Sequence, residues 1–407
     1  MFTRIPSGDE LARFKRYASW MRVLGPSKAV MISDDVLQQL SLATSGGPVC
    51  PQLKRLVWPP SYGCGHIQQF LSPRLVSVIF RKRRWHHLIP SDSTLASIIP
   101  FLPTTHLEEL RLEFIPPPVA PIHSVLSEVV QRLNTCFKRI STRSPLTDPA
   151  WEHLASLPRL KSLRVSNTPT AEISELIPCQ FTFPALERVK IVAGDRYQRW
   201  GLIFSLLESS PLKHVSVSGH RIQGGDVPSD VTFAMLRAKL QRSVSYLNFT
   251  RLDPANFTFL SRLGPFGSLK TLKCNTWCQG PGQCVSPLTD PDIEQLASEL
   301  PHLAILCLGH ECRWSPHNTT IKSMISLSTQ CLSLEVLHLP CDLTRTSEDI
   351  KTGSRVPDPR QEIRSPCALR VLAFEWVTMP RPEDTEASGV VASVLHHLFP
   401  LLPPIGE

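Results

Sequence analysis

The chain has 407 residues, 42% of them hydrophobic and 19% charged, a balance that is globular rather than disordered. Its 43 basic and 35 acidic side chains leave a formal charge of +8, a mild bias toward acidic partners that is first of all a statement about solubility. No window approaches 18 uninterrupted apolar residues and the first ten residues hold no signal-peptide core, so no membrane span, an intracellular location and 12 reduced cysteines are expected.

From the N-terminus, Leu11, Phe14, Tyr17, Ala18, Met21 and Leu24 recur at helical spacing and predict one amphipathic helix ending at Gly25-Pro26. A second helix is predicted from Ser33 as N-cap through Val36, Leu37 and Leu40. Residues 1–48 therefore read as a helical cap, and residues 49–407 as something more repetitive.

The repeated unit is clearest in Leu288-Thr-Asp-Pro-Asp-Ile-Glu-Gln-Leu-Ala-Ser-Glu-Leu-Pro-His-Leu-Ala-Ile-Leu-Cys-Leu308. Asp290 is expected to cap a helix beginning at Pro291, with Ile293, Leu296, Ala297 and Leu300 on one face. Pro301 ends it, and Leu303-x-x-Leu306-x-Leu308 comes next as a short strand with one buried face. Leu146-Thr-Asp-Pro to Val165 repeats the sequence with one residue fewer, and there Asp148 is the expected cap.

The six-residue strand pattern recurs from Leu53, Leu75, Leu107, Phe137, Leu160, Leu186, Leu212, Val244, Leu269, Leu303, Leu334 and Leu369. That makes twelve hexads at separations of 22 to 35 residues, with helical spacers such as Ile122, Val125, Leu126, Val129, Val130 and Leu133 between them. Such alternation predicts parallel strands joined by right-handed crossovers. The polar stretch 342–366 is expected to be a mobile loop, and an apolar helix from Val390 to Phe399 to close the stack.

The Leu-x-x-Leu-x-Leu strands and Leu-Pro-x-Leu helix exits resemble the leucine-rich repeat. With Ala12-Arg-Phe-Lys-Arg-Tyr-Ala18, the Leu-Thr-Asp-Pro helix starts and the closing Val390 to Pro400, the chain resembles the F-box/leucine-rich-repeat proteins of basidiomycete fungi. The resemblance implies an α/β fold, a leucine-rich-repeat-like solenoid with a curved parallel sheet and helices on its convex side. It also implies substrate recognition for a Skp1-cullin-F-box ubiquitin ligase. The F-box itself is not visible, and Ala12 to Ala18 resembles the segment that normally succeeds an F-box, so Skp1 is an expected partner only if an F-box precedes this chain. The asparagine usual at the ninth repeat position is replaced by Thr168, Trp277 and Glu311, which predicts irregular turns after the strands.

Strand positions that do not point inward would form the partner-binding concave face. Arg139, Arg143, Arg164, Arg188, Lys190, His214, Tyr246 and Lys273 occupy such positions and point to a protein partner with an acidic surface; a solvated polar face is the bland alternative. Phe80-Arg-Lys-Arg-Arg-Trp-His-His87 offers a second function, as a basic nucleic-acid-binding or nuclear scaffold patch, although a charged strand edge explains it as well. Cys274, Cys278, Cys284, Cys307, His310 and Cys312 fit no tight zinc knuckle, so no metal and no cofactor is expected. The sequence has no Gly-x-Ser-x-Gly elbow and no His-Glu-x-x-His pair, and a binding protein rather than an enzyme is the expectation.

Overall fold

Three apolar side chains per hexad must leave water, and an extended strand places the fourth and sixth on one face. The computed structural model describes residues 7–25, 34–44, 47–58, 64–80, 102, 105–112, 120–142, 146–167, 183–193, 210–218, 243–252, 266–276, 288–309, 318–344, 346, 367–373, 377–378, 380 and 385–402. The chain is α/β and divides into two compact units, Met1–Val192 with Ser209–Pro211, and Ala193–Glu208 with Leu212–Glu407.

In the first unit, β1 (Val23–Leu24), β2 (Arg55–Trp58), β3 (Ser77–Phe80), β4 (Glu109–Leu112), β5 (Arg139–Ser141), β6 (Ser162–Asn167) and β7 (Arg188–Ala193) lie in chain order in a sheet. The pairings from β1 to β6 are all parallel, in one register that aligns Val23, Arg55, Ser77, Glu109, Arg139 and Ser162. Its helices are α1 (Gly8–Ala18), α2 (Asp34–Ala43), α3 (Ala120–Gln131) and α4 (Asp148–Ser156), with a 3-10 turn at Cys64–Phe70.

In the second unit, β8 (His214–Ser218), β9 (Tyr246–Leu252), β10 (Thr271–Thr276), β11 (Ile305–Leu308), β12 (Val336–His338) and β14 (Val371–Leu372) are likewise parallel and in order. A separate parallel ribbon joins β13 (Cys341–Asp342) to β15 (Val377–Thr378). The helices here are α5 (Asp290–Glu299), α6 (Ile321–Gln330) and α7 (Thr385–Leu398).

Each of the twelve hexads has its strand, and its described apolar inward positions are buried, as in Leu160, Leu163 and Val165, or Leu303, Leu306 and Leu308. Burying one such side chain is worth about 1.5–3 kcal/mol. Two backbone devices recur beside that core. The N–H of a hexad's first residue closes a turn on the carbonyl three residues back: Leu53 on Cys50, Leu160 on Leu157, Leu303 on Leu300 and Leu334 on Cys331, at 3.0–3.4 Å. The second residue's carbonyl accepts two consecutive N–H groups from the next strand, as Glu108 does from Lys138 and Arg139 at 2.9 Å and Ala304 does from Glu335 and Val336 at 2.8 and 3.1 Å.

The structure corrects several expectations. Helix α1 begins with a reciprocal cap, Ser7 N–H to Glu10 Oε2 at 2.8 Å and Glu10 N–H to Ser7 Oγ at 3.4 Å. It ends at Ala18 rather than Gly25, and Val23–Leu24 becomes an additional strand, with Met21 to Leu24 at the first four positions of the strand pattern. The Arg22 carbonyl accepts the Lys54 and Arg55 N–H groups at 2.8 and 3.0 Å, so sheet pairing overrides the helical spacing of Met21 and Leu24, and a strand lies inside the stretch read as all-helical. Asp290 is the first residue of α5 and Thr289 its N-cap, while α4 takes Thr147 as N-cap ahead of Asp148. The polar stretch starts later than 342: Asp342 lies in β13, and Leu343 and Thr346 are buried. The Ser33 cap and residues 347–366 lie outside the described residues.

Candidate functional site

Because the register is constant, the outward positions of neighbouring strands form straight rows, with strands about 4.8 Å apart. In the first unit the third-position row is Arg55, Ser77, Glu109, Arg139 and Ser162, with Arg188 at the same position of β7. The fifth-position row is Val57, Ile79, Arg111, Ser141 and Arg164, with Lys190 at the same position of β7. Six cations thus share these rows with one carboxylate, Glu109.

Glu109 is 8% exposed and is surrounded by donors. Ser77 Oγ donates to its Oε2 at 2.6 Å, Arg111 Nε donates to its Oε1 at 2.8 Å, and Arg139 Nη1 lies 3.8 Å from the same oxygen. Burial by itself would push this carboxyl up, but the hydrogen bonds from Ser77 and Arg111 and the charges of Arg111 and Arg139 hold it below the ordinary value. Glu109 therefore organises the Arg111 end of the face and offsets part of the Arg139 charge. Farther along, Arg188 is exposed and Arg164 and Lys190 are half-buried. On the flanking second positions, Lys138 pairs with Glu108 at 2.8 Å and Lys161 approaches Glu187 at 3.7 Å.

The second unit presents a different face. Its rows are His214, Tyr246, Thr271, Ile305, Val336 and Val371, and Ser216, Asn248, Lys273, Cys307 and His338. The His214 and Tyr246 rings meet edge-on with centroids 5.5 Å apart, and Lys273 is the formally charged residue in these rows. In these rows of described residues basic character is thus concentrated in the first unit, whereas the sequence-predicted His214, Tyr246 and Lys273 stand among aromatic, hydroxyl and apolar neighbours.

No protein-family model matches this chain, and no curated protein does either. The site is therefore read from its own chemistry. Of the predicted residues, Arg143 lies outside the described residues, as do Arg81 to His87; Phe80, where that basic run begins, is buried at the end of β3. The sequence expectation omits Arg55, Arg111 and Glu109. They sit at the third and fifth positions of the hexads starting at Leu53 and Leu107, and position alone could have found them.

Cys50, Cys274, Cys307, Cys331, Cys341 and Cys367 are buried in the core. Cys274 and Cys307 are buried on adjacent strands, while Cys278, Cys284, His310 and Cys312 lie outside the described residues. Among the described residues no three His, Cys, Asp or Glu side chains gather as a metal site, and Cys50, Cys136, Cys274, Cys307, Cys331, Cys341 and Cys367 are free thiols. Burial pushes the Cys50 thiol up to about 11; burial and the neighbouring Cys367 push Cys331 up to about 12. Such thiols are neither nucleophiles nor ready ligands. No helix of the described residues is long and apolar enough to cross a membrane.

Proposed function

We propose that this chain is a leucine-rich-repeat-like binding protein that holds an acidic segment of a partner protein on the outward face of its first unit. The observation that carries this reading is the pair of rows in which Arg55, Arg111, Arg139, Arg164, Arg188 and Lys190 accompany the single carboxylate Glu109. Rigid strands fix these cations at regular intervals, so a partner meets them with little ordering cost, and arginine is suited to bidentate carboxylate contacts. By its resemblance to F-box proteins, we further propose that the bound partner is a substrate presented to a Skp1-cullin-F-box ligase inside the cell.

The experiment is affinity capture with the full chain, comparing the natural protein with an Arg164→Glu, Arg188→Glu, Lys190→Glu triple variant. Loss of the same partners from the variant, with binding that weakens as salt rises, supports the reading; an unchanged partner set refutes it. Recovery of Skp1 tests the ligase assignment separately. Binding of random single-stranded oligonucleotides that is steeply salt-dependent and lost in the triple variant would replace a protein partner with nucleic acid.

A further inference from the structure

The N-terminal edge of the first unit's sheet carries a further copy of the device that joins its strands, without a partner among the described residues. In β2, Lys54 and Arg55 donate consecutive N–H groups to the Arg22 carbonyl at 2.8 and 3.0 Å, and the same fork recurs at Val76 and Ser77 on Lys54, at 2.8 and 3.0 Å. Arg22 and Val23 stand at the equivalent positions of β1, which is the first strand of the sheet, and their N–H groups have no partner among the described residues. The edge also carries exposed apolar side chains. Tyr17 is 58% exposed, Trp20 65% and Val23 60%, and the Tyr17 and Trp20 rings meet edge-on at 6.1 Å.

Cations surround these side chains. Arg13, Arg16, Tyr17 and Trp20 succeed one another at helical spacing along and just beyond α1, all exposed, and Arg22 precedes Val23. On the other side Val23 is in register with exposed Arg55 of β2. Arg, Tyr and Trp are the residues that dominate protein interfaces, and an open strand edge supplies directional backbone donors that a lipid surface or a nucleic acid does not need.

We propose that β1 is a docking edge for an extended, acidic segment of a partner protein, which adds as a further strand. One partner carbonyl accepts both the Arg22 and Val23 N–H groups, as the Arg22 carbonyl itself serves Lys54 and Arg55. An apolar partner side chain packs against Trp20 and Val23, and flanking carboxylates face Arg13, Arg16, Arg22 and Arg55. This edge is separate from the Arg164, Arg188 and Lys190 surface and stands or falls independently of it.

The test selects dodecapeptides from a random displayed library on the full chain and measures their affinities by fluorescence anisotropy. Val23→Pro removes one donor of the fork, and Trp20→Ser removes the anchor. Amide-exchange protection at Lys54 and Arg55 reports whether β1 still pairs with β2 in each variant. The expected result is a set of peptides alternating apolar and acidic residues, whose affinity falls about tenfold or more in each variant while that protection persists. Peptides that bind Val23→Pro as well as the natural chain overturn the proposal, as does a selection that yields no binder. Dimerisation abolished by Val23→Pro would assign the edge to a second copy. Binding to phosphatidylserine vesicles that needs Trp20 but survives Val23→Pro would assign it to lipid. Either result also overturns the proposal.

Discussion

The carboxylate of Asp290 caps the helix after its own. Its Oδ1 accepts the Thr320 N–H at 2.7 Å and the Ser323 hydroxyl at 2.5 Å, and its Oδ2 accepts the Thr320 hydroxyl at 2.7 Å. The first turn of α6 is thereby fastened to the first residue of α5. At the start of α5 itself, Asp292 Oδ2 accepts both the N–H and the hydroxyl of Thr289, at 2.9 and 2.6 Å.

Asp290→Ala strands a backbone donor and two hydroxyls at once. It is expected to lower stability by about 1–3 kcal/mol, more than a single exposed cap, because the lost bonds tie neighbouring helices. Chemical denaturation of Asp290→Ala, Thr320→Ala and the double variant checks this: the two effects should be clearly less than additive.

Glu109 makes stability depend on pH. Its carboxyl titrates below the ordinary value of 4.5 in the folded protein, so its contribution is complete above that value and is lost as the pH falls through the folded one. Glu109→Gln should cost about 1–3 kcal/mol at neutral pH by leaving Arg111 and Arg139 without their counter-charge. Denaturation midpoints measured from pH 7 down to about pH 3 should show the natural and variant proteins converging on the acid side.

Gly309 comes directly after β11 with φ 69°, and its N–H reaches the Cys274 carbonyl at 2.8 Å. Left-handed backbone carries no penalty for glycine and a real one for any residue with a Cβ. Gly309→Ala is expected to destabilise the second unit by about 1–2 kcal/mol, read as a lower melting temperature with unchanged far-ultraviolet circular dichroism.

Cys331 is a core thiol whose Sγ lies 3.4 Å from the Leu300 carbonyl, at the exit of α5. A thiol raised to about 12 holds roughly a thousandfold less thiolate at neutral pH than one of ordinary value, before its burial is considered. Iodoacetamide applied to the native chain at pH 8 should therefore label half-buried Cys136 well before Cys331 or Cys50, and peptide mass mapping checks the order.

What the sequence determined by itself was periodic: the twelve hexads, their inward leucines, and the apolar faces of α5 and of the described part of α3. Those features depend only on residues a few positions apart, and burial enforces them wherever the chain lies. The tertiary structure decided whatever joins distant residues. Asp290 reads as the cap of its own helix until Thr320 and Ser323, 30 and 33 residues later, are placed beside it. Glu109 is an ordinary surface acid until Ser77, 32 residues earlier, and Arg139 close over it. Met21 to Leu24 fit a helical stripe as well as a strand, and only the Lys54 and Arg55 N–H groups choose between them. Local spacing is written in one dimension, whereas the partner of a carboxylate or an open strand edge exists only once the register brings the strands together.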